Sequence, residues 1–512
     1  MAMPLRERRT DSFTSRADKL RFLLQAPEGS LVTLKGGYWE AQAADFSLAG
    51  FRTAPDLATR SDQPGYLFID ANSDPTGAIH EASSSRCPVR GLVTAVRPPR
   101  FGPERYLSRI ADRVARMGLV EYGQFEVNGL GRWLDDLRRV PRDAPPAAGL
   151  AGWLRTLRRG RYPRLAFYGP PGHRELPGLQ LAAAEAASMA TLPKAPETEQ
   201  IWFRRRGALV LRMVVPDGGD QSFFLRVATN PEVDEVLGGN QEFVNRLLAA
   251  SGLPGSVRQL IPRQYGHRRA GGAELYLEQG CNGQMAWTLE SDPGIRASVD
   301  RQLHAFSADL QRGTGHSEEL SGDRLTRWIS DFLGPLPERL ERVGLEASVM
   351  AGLVSQLRRI MEGRSWWLAP AHGDFGTGNA LSLPDGQLTG IIDWDTHAED
   401  DLAGIDWCDH RLKALRFETE QWADRLALLI DHTTRHGRLA PAHQGFGKED
   451  FGLDREAMVL LPCLGYLRIL TREARYPASF RRPADYYRRW LDTVGGYLAV
   501  APGRDPDQAA GP

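Results

Sequence analysis

The sequence predicts an α+β chain: an N-terminal α/β region, then a short strand-rich segment, then a longer helical one. Three observations predict it. Between about residues 201 and 279, short apolar runs rich in β-formers are separated by Gly/Asp turns. From Ala297 onward, apolar residues recur at helical spacing, as in SVDRQLHAFSADLQRG, RLTRWISDFL and SVMAGLVSQLRRIMEG. One stretch, AHGDFGTGNALSLPDGQLTGIIDWD from Ala371 to Asp395, interrupts those helices with a loop and a hairpin.

Bulk properties narrow the class. At 512 residues the chain has room for two large domains or roughly three of about 150 residues. A hydrophobic share of 42% is enough for a sizeable core. Lys+Arg and Asp+Glu are both 64, so no net field draws the chain to nucleic acid or an anionic membrane. The basic charge is nearly all arginine; the lysines are Lys19, Lys35, Lys194, Lys413 and Lys448. Cys87, Cys281, Cys408 and Cys463 are far apart and form no CxxC pair, which argues against a disulfide framework or a zinc knuckle. The N-terminus is charged without an apolar core, and no run reaches the about 18 apolar residues of a membrane span. The expectation is a cytoplasmic protein with no nucleic-acid or membrane partner and an undefined oligomeric state.

In chain order, residues 1–192 read as an accessory α/β region with strands in SLVTLK, PGYLFIDA and GLVTAV. These resemble the last strands of a Rossmann-like methyltransferase, but no GxGxG loop precedes them. Two seams follow, RVPRDAPPAAGLAG (Arg139 to Gly152) and ATLPKAPETEQ (Ala190 to Gln200); the second is the stronger boundary because a strand pattern starts directly after it. ALVLRMVV, the turn PDGGDQ and SFFLRVA form a hairpin. A helix follows, with Asn240 as its cap and Phe243, Val244, Leu247 and Leu248 as its apolar face. AELYLEQ is a further strand. Residues 196–290 and 291–500 thus divide into a smaller strand-rich part and a larger helical part, with a disordered tail at 501–512.

The stretch that interrupts the helices carries the chemistry. Asp374 and Asn379 share a loop, and ALSL-PDGQ-LTGIIDW returns the chain so that Asp393 lies at the end of the second arm. The two ends of a hairpin lie together, so three oxygen-bearing side chains converge. Asp and Asn oxygens are hard ligands that suit Mg²⁺, an ion that keeps waters and shares substrate phosphates. Asp-x-x-x-x-Asn, with His372 two residues before the Asp and a second Asp downstream, is the catalytic-loop spacing of protein kinases.

HGDxxxxN followed by IDW resembles the aminoglycoside phosphotransferase/choline kinase family, small-molecule kinases with a two-lobed protein-kinase-like fold. The resemblance covers about residues 200–498. It implies that Asp374 is the catalytic base or hydroxyl orienter, that His372 braces the loop, and that Asn379 and Asp393 bind Mg²⁺. It also implies a basic strand residue paired with a helix glutamate, matched by Arg226 and Glu242, and a hinge at Glu278 to Gly280 that meets the nucleotide. The implied activity is transfer of the γ-phosphoryl group of ATP to a hydroxyl of a small molecule such as an amino sugar, a sugar, an amino alcohol or a natural product.

Two departures favour an alternative, a pseudokinase-like nucleotide-binding or scaffold protein. Arg226 stands where the family has lysine, and a planar guanidinium is not an ammonium. The first hairpin offers a single glycine, Gly207, rather than a glycine-rich loop. A metal hydrolase using His397 and His410 is the rival chemistry, but no HExxH spacing is present; Walker A and GxSxG motifs are absent too. The run DWDTHAEDDLAGIDWCDH reads as a solvated face or a cationic-acceptor site, with Asp401 and Asp406 bracing the fold.

Overall fold

The computed structural model describes residues 16–28, 30–35, 46–47, 49, 51–54, 65–69, 89–96, 110, 112–127, 137–139, 164–172, 175–203, 208–216, 221–437, 439, 454–474 and 482–500. Gly207, the seam from 140 to 152 and the tail 501–512 lie outside them. The chain is α+β and forms two compact units. The first comprises Met1–Gly238 and Gln264–Gly280, the second Gly239–Arg263 and Cys281–Pro512.

The described strands of the first unit make one twelve-stranded sheet. Its strands are β1 (Leu31–Lys35), β2 (Arg52–Ala54), β3 (Gly65–Ile69), β4 (Val89–Val96), β5 (Val120–Val127), β6 (Leu137–Arg139), β7 (Arg164–Gly169), β8 (Glu197–Phe203), β9 (Leu209–Val214), β10 (Ser222–Ala228), β11 (Gln264–Ala270) and β12 (Ala273–Gln279). The spatial order is β11-β12-β10-β9-β8-β6-β5-β7-β4-β3-β1-β2. β2, β1, β3 and β4 pair in parallel, and every pairing from β4–β7 onward is antiparallel. The link between the early and late strands is β6 against β8, with Leu137 opposite Ile201. β9 shows why the segment is a strand: its residues alternate buried and half-buried from Leu209 to Val214, as a sheet with one core face requires. Leu209, Leu211 and Met213 join Phe223, Leu225 and Val227, together with Leu20 and Leu23 of α1 (Arg16–Leu24) and Leu179 and Ala182 of α2 (Pro177–Ala190), in one core.

The helix expected to start at Asn240 instead begins at Pro231 and runs to Ala249 (α3). Asn230 caps it, its Oδ1 accepting the Val233 N–H at 3.0 Å. Pro231 at the first position and Glu232 and Asp234 in the first turn complete an ordinary helix start. Asn240 is an interior residue, only 4% exposed.

The second unit holds α4 (Pro293–Thr314), α5 (Gly322–Leu333), α6 (Ala347–Met361), α7 (Ile405–Ala414), α8 (Trp422–His436), α9 (Ala457–Ala474) and α10 (Ala484–Val500). Two three-stranded sheets accompany them. One is β13 (Gln284–Met285), β16 (Ala380–Ser382) and β17 (Leu388–Ile391); the other is β14 (His316–Leu320), β15 (Arg364–Ala371) and β18 (Ala398–Leu402). The central helix is α9, apolar and buried on all sides from Ala457 to Thr471. Pro462 interrupts its hydrogen-bond ladder by removing the donor to the Met458 carbonyl; the Thr433 hydroxyl of α8 donates to that carbonyl at 2.6 Å. Gly465 lets α9 press against α7, since a Cβ there would lie 2.7 Å from the Cys408 Cβ. Among the described residues no helix is long and apolar enough to cross a membrane.

Candidate active site

The hairpin of β16 and β17 brings the expected residues together. The Ile392 N–H donates to the Asn379 carbonyl at 2.8 Å, which joins the residue before Asp393 to Asn379. The Asn379 amide donates from Nδ2 to the Asp374 carbonyl, also at 2.8 Å. That bond fixes the amide and leaves Oδ1 as its remaining acceptor. Asp393 sits at φ 69°, one of three non-glycine residues with positive φ among those described. A carboxylate held in the left-handed region is strained by about 1–3 kcal/mol, a pattern that clusters at functional sites.

His372 is fully buried and braces the loop from within. Its Nε2 meets the Ile392 carbonyl at 2.9 Å, so Nε2 carries the proton, and its Nδ1 accepts the Asp374 N–H at 3.3 Å. Its ring packs 4.6 Å from that of Trp394. Trp394, Phe375, Phe306 and Phe243 form the apolar floor under the loop. The tryptophan of the IDW motif is therefore a packing residue.

Asp406, at the start of α7, accepts the N–H groups of His372 and Gly373 at 2.5 and 3.0 Å. It is 3% exposed, and the loop turns around it. Gly373 has φ 81°, and a Cβ there would lie 1.9 Å from the Thr396 carbonyl oxygen, so the loop requires glycine. Beyond it, Thr377 donates to Glu290 at 2.7 Å, and Glu290 pairs with Arg416.

Three residues that the motif does not contain complete the site. Lys413 Nζ lies 2.8 Å from Asp374 Oδ1 and 2.7 Å from Asp409 Oδ2. Arg472 Nη1 of α9 reaches the same two oxygens at 2.8 and 3.0 Å. Burial alone would raise the Asp374 carboxyl, but the Lys413 and Arg472 charges outweigh it and hold the group below its ordinary value. A signal for Lys413 was present: Asp406, Asp409, His410 and Lys413 repeat at helical spacing on one face of α7.

The acidic run is solvated only at Glu399 and Asp400, and its other acids are buried or half-buried. Asp401 is buried against Arg468, Asp400 pairs with Arg324 at 3.1 Å, and Glu399 pairs with Arg246. Asp406 and Asp409 are occupied as described. His410 meets Asp300 at 2.7 Å, and His397 Nδ1 meets the Trp394 carbonyl at 2.9 Å. Among the described residues, no group of three or more His, Cys, Asp or Glu side chains is arranged to hold a metal ion by itself. A carboxamide and a carboxylate, as Asn379 and Asp393 offer, are the donor types of an ion that takes its remaining ligands from water and phosphate, which is the habit of Mg²⁺.

The remaining predicted residues lie as follows. In the first unit, Arg226 Nε lies 3.3 Å from Glu278 Oε1, both side chains being 11% exposed. Glu278 also accepts from Gln264 at 3.4 Å. The Gly280 N–H donates to the Ser222 carbonyl at 2.8 Å. In the second unit, Glu242 pairs with Arg246 one turn on, at 3.9 Å.

No family model and no curated protein matches the chain. Solved structures do. An aminoglycoside 3'-phosphotransferase of type VIII matches at 18% identity, covering 61% of this chain and 99% of that one, with a TM-score of 0.29. A Plasmodium vivax ethanolamine kinase matches at 8% identity over 57% and 79%, with a TM-score of 0.34. An aminoglycoside phosphotransferase from Streptomyces rimosus, in complex with ADP and streptomycin, matches at 15% identity over 51% and 90%, with a TM-score of 0.32. At such identities and scores the chemistry rests on the site's own residues.

Proposed function

We propose that this chain is an ATP- and Mg²⁺-dependent phosphotransferase whose acceptor is a hydroxyl group of a small molecule. The observation that carries the reading is the closure of the hairpin. Hydrogen bonds from Asn379 to Asp374 and from Ile392 to Asn379 gather two carboxylates and one carboxamide within a single loop system. Phosphoryl transfer asks little covalent chemistry of a protein. It needs the donor phosphates held, their charge offset and the acceptor oxygen aimed in line.

Asp374 receives both cations on Oδ1, which leaves Oδ2 to accept the acceptor hydroxyl and aim it. A carboxylate held below its ordinary value is a weak base, so Asp374 acts chiefly by orientation. Asn379 Oδ1 and the Asp393 carboxylate would hold Mg²⁺, which when bound offsets the phosphate charge. His372 and Asp406 keep the loop in register. The nucleotide contacts carried over from the resemblance are Arg226 for phosphate and Glu278 to Gly280 for the base, while Arg226 pairs with Glu278 and Glu242 with Arg246. The acids after Asp395 are engaged within the fold, which favours a neutral acceptor such as a sugar or a natural-product alcohol over a polycation.

The test is thermal shift with millimolar ATP, with and without Mg²⁺, followed by ATP consumption against a panel of sugars, amino sugars, amino alcohols and natural products. A Mg²⁺-dependent shift and acceptor-dependent ATP loss support the reading. A protein that shows no shift with ATP is the scaffold alternative.

A further inference from the structure

Asp374 is held by a side-chain cluster that neither its motif nor the hairpin supplies. The ammonium of Lys413 has three hydrogens and meets three acceptors: Asp374 Oδ1 at 2.8 Å, the Phe375 carbonyl at 3.0 Å and Asp409 Oδ2 at 2.7 Å. Arg472 Nη1 meets Asp374 Oδ1 at 2.8 Å, the Gly373 carbonyl at 3.1 Å and Asp409 Oδ2 at 3.0 Å. The two cations thus grip the backbone on either side of residue 374 and the same oxygen of its side chain.

Asp409 is the anchor. Its side chain is fully buried, Oδ2 receives both cations, and Oδ1 has no hydrogen-bond partner among the described residues. A buried carboxylate with one oxygen unsatisfied is costly, and the two cations on its other oxygen offset that cost. Lys413 itself is 24% exposed, so its ammonium stays at the rim of the loop while Asp409 fixes it from below.

We propose that Lys413 is a positioning residue: anchored by Asp409, it fixes the rotamer of Asp374 so that one carboxylate oxygen faces the acceptor hydroxyl. The inference rests on the phosphotransferase reading and adds to it a residue outside the motif. A lysine suits the place because three divergent donors on a point charge match three acceptors around it, which the flat fork of arginine does less well. A purely structural role, pairing the buried Asp409, would act on stability rather than on turnover.

The experiment measures Mg²⁺-dependent ATP consumption by the full chain, with water or the identified alcohol as acceptor. Lys413→Met should lower kcat about 10–100-fold, as expected for a misplaced reacting group, with KM for ATP unchanged within about twofold. Lys413→Arg, which keeps the charge and is the safer variant for folding, should recover part of the loss. Because Lys413 acts through Asp374, Lys413→Met added to Asp374→Asn should cost nothing further. Unchanged kcat in Lys413→Met, or full additivity in the double variant, overturns the proposal while the phosphotransferase reading stands. Wild-type protein that consumes no ATP under any condition sinks that reading, and this inference with it.

Discussion

Asp406→Ala removes the acceptor around which the catalytic loop turns. In the wild-type protein the carboxylate takes the His372 and Gly373 N–H groups at 2.5 and 3.0 Å, and all three residues are buried. Without it, two buried donors have no partner, and each costs about 1–3 kcal/mol. Part of this is returned. The carboxylate no longer has to be desolvated, and Asp401, which Asp406 repels, is relieved. The expected net loss is about 2–4 kcal/mol. Eight of the twelve tryptophans lie beyond Cys281, so urea unfolding followed by tryptophan fluorescence reports mainly on the second unit. The displaced loop should also reduce ATP consumption about 100-fold, since a shift of about 1 Å in a reacting group has that effect. Asp406→Asn keeps one acceptor but turns an amide donor toward the other N–H, so it should fall between wild type and Asp406→Ala. A loss below about 1 kcal/mol in the alanine variant, with turnover intact, would refute the bracing role.

Asp374→Asn and Asp393→Ala should each lower phosphate transfer by about 10²–10⁴-fold with an unchanged far-UV circular dichroism spectrum; retained turnover in the purified variants rejects their roles. Gly373→Ala sets a Cβ 1.9 Å from the Thr396 carbonyl oxygen at φ 81°, and should cost about 2–4 kcal/mol by urea unfolding, whereas Gly437→Ala, in open space, should cost less. Burial pushes the Asp401 carboxyl up from 3.8 to about 6 despite Arg468, so the folded chain binds that proton more tightly than the unfolded one. Its contribution to stability therefore falls as pH rises from about 4 to about 6, and Asp401→Asn should lose that slope in a pH series of urea midpoints. Asp300 behaves oppositely: burial would raise it, but His410 and Arg411 bring it down to about 2, so its stabilisation is present above 3.8 and lost as pH falls toward 2.

Residues close in sequence were legible because their physics is local. Runs of β-formers bounded by turns marked β9, β10 and β12, helical spacing marked α4, α5 and α6, and PDGQ marked the hairpin that carries Asn379 toward Asp393. Errors arose where a second local signal competed. Asn240 precedes an apolar face and reads as a cap, yet NPEVDE, with Asn230 and Pro231, is the stronger helix start. β14 and β18 went unread because HSEEL and AEDDL are too polar to resemble strands; they are strands because β15 lies between them. The cations at Asp374 belong to a different class. Lys413 is 39 residues from it in sequence, and Arg472 is 99 residues from Gly373. With nearly every basic residue an arginine, charge alone does not tell which one folds back onto which acid. Two features did narrow the choice. Lys413 is one of two lysines after Lys194, and it shares a helical face with Asp406 and Asp409. Acids buried on a helix that also presents a lysine to the same side require that lysine, or another cation, close at hand. Asp406 holds the loop, and Asp409 and Lys413 lie on the same face of its helix, so the cluster around Asp374 is the point where the long-range fold and the local motif meet.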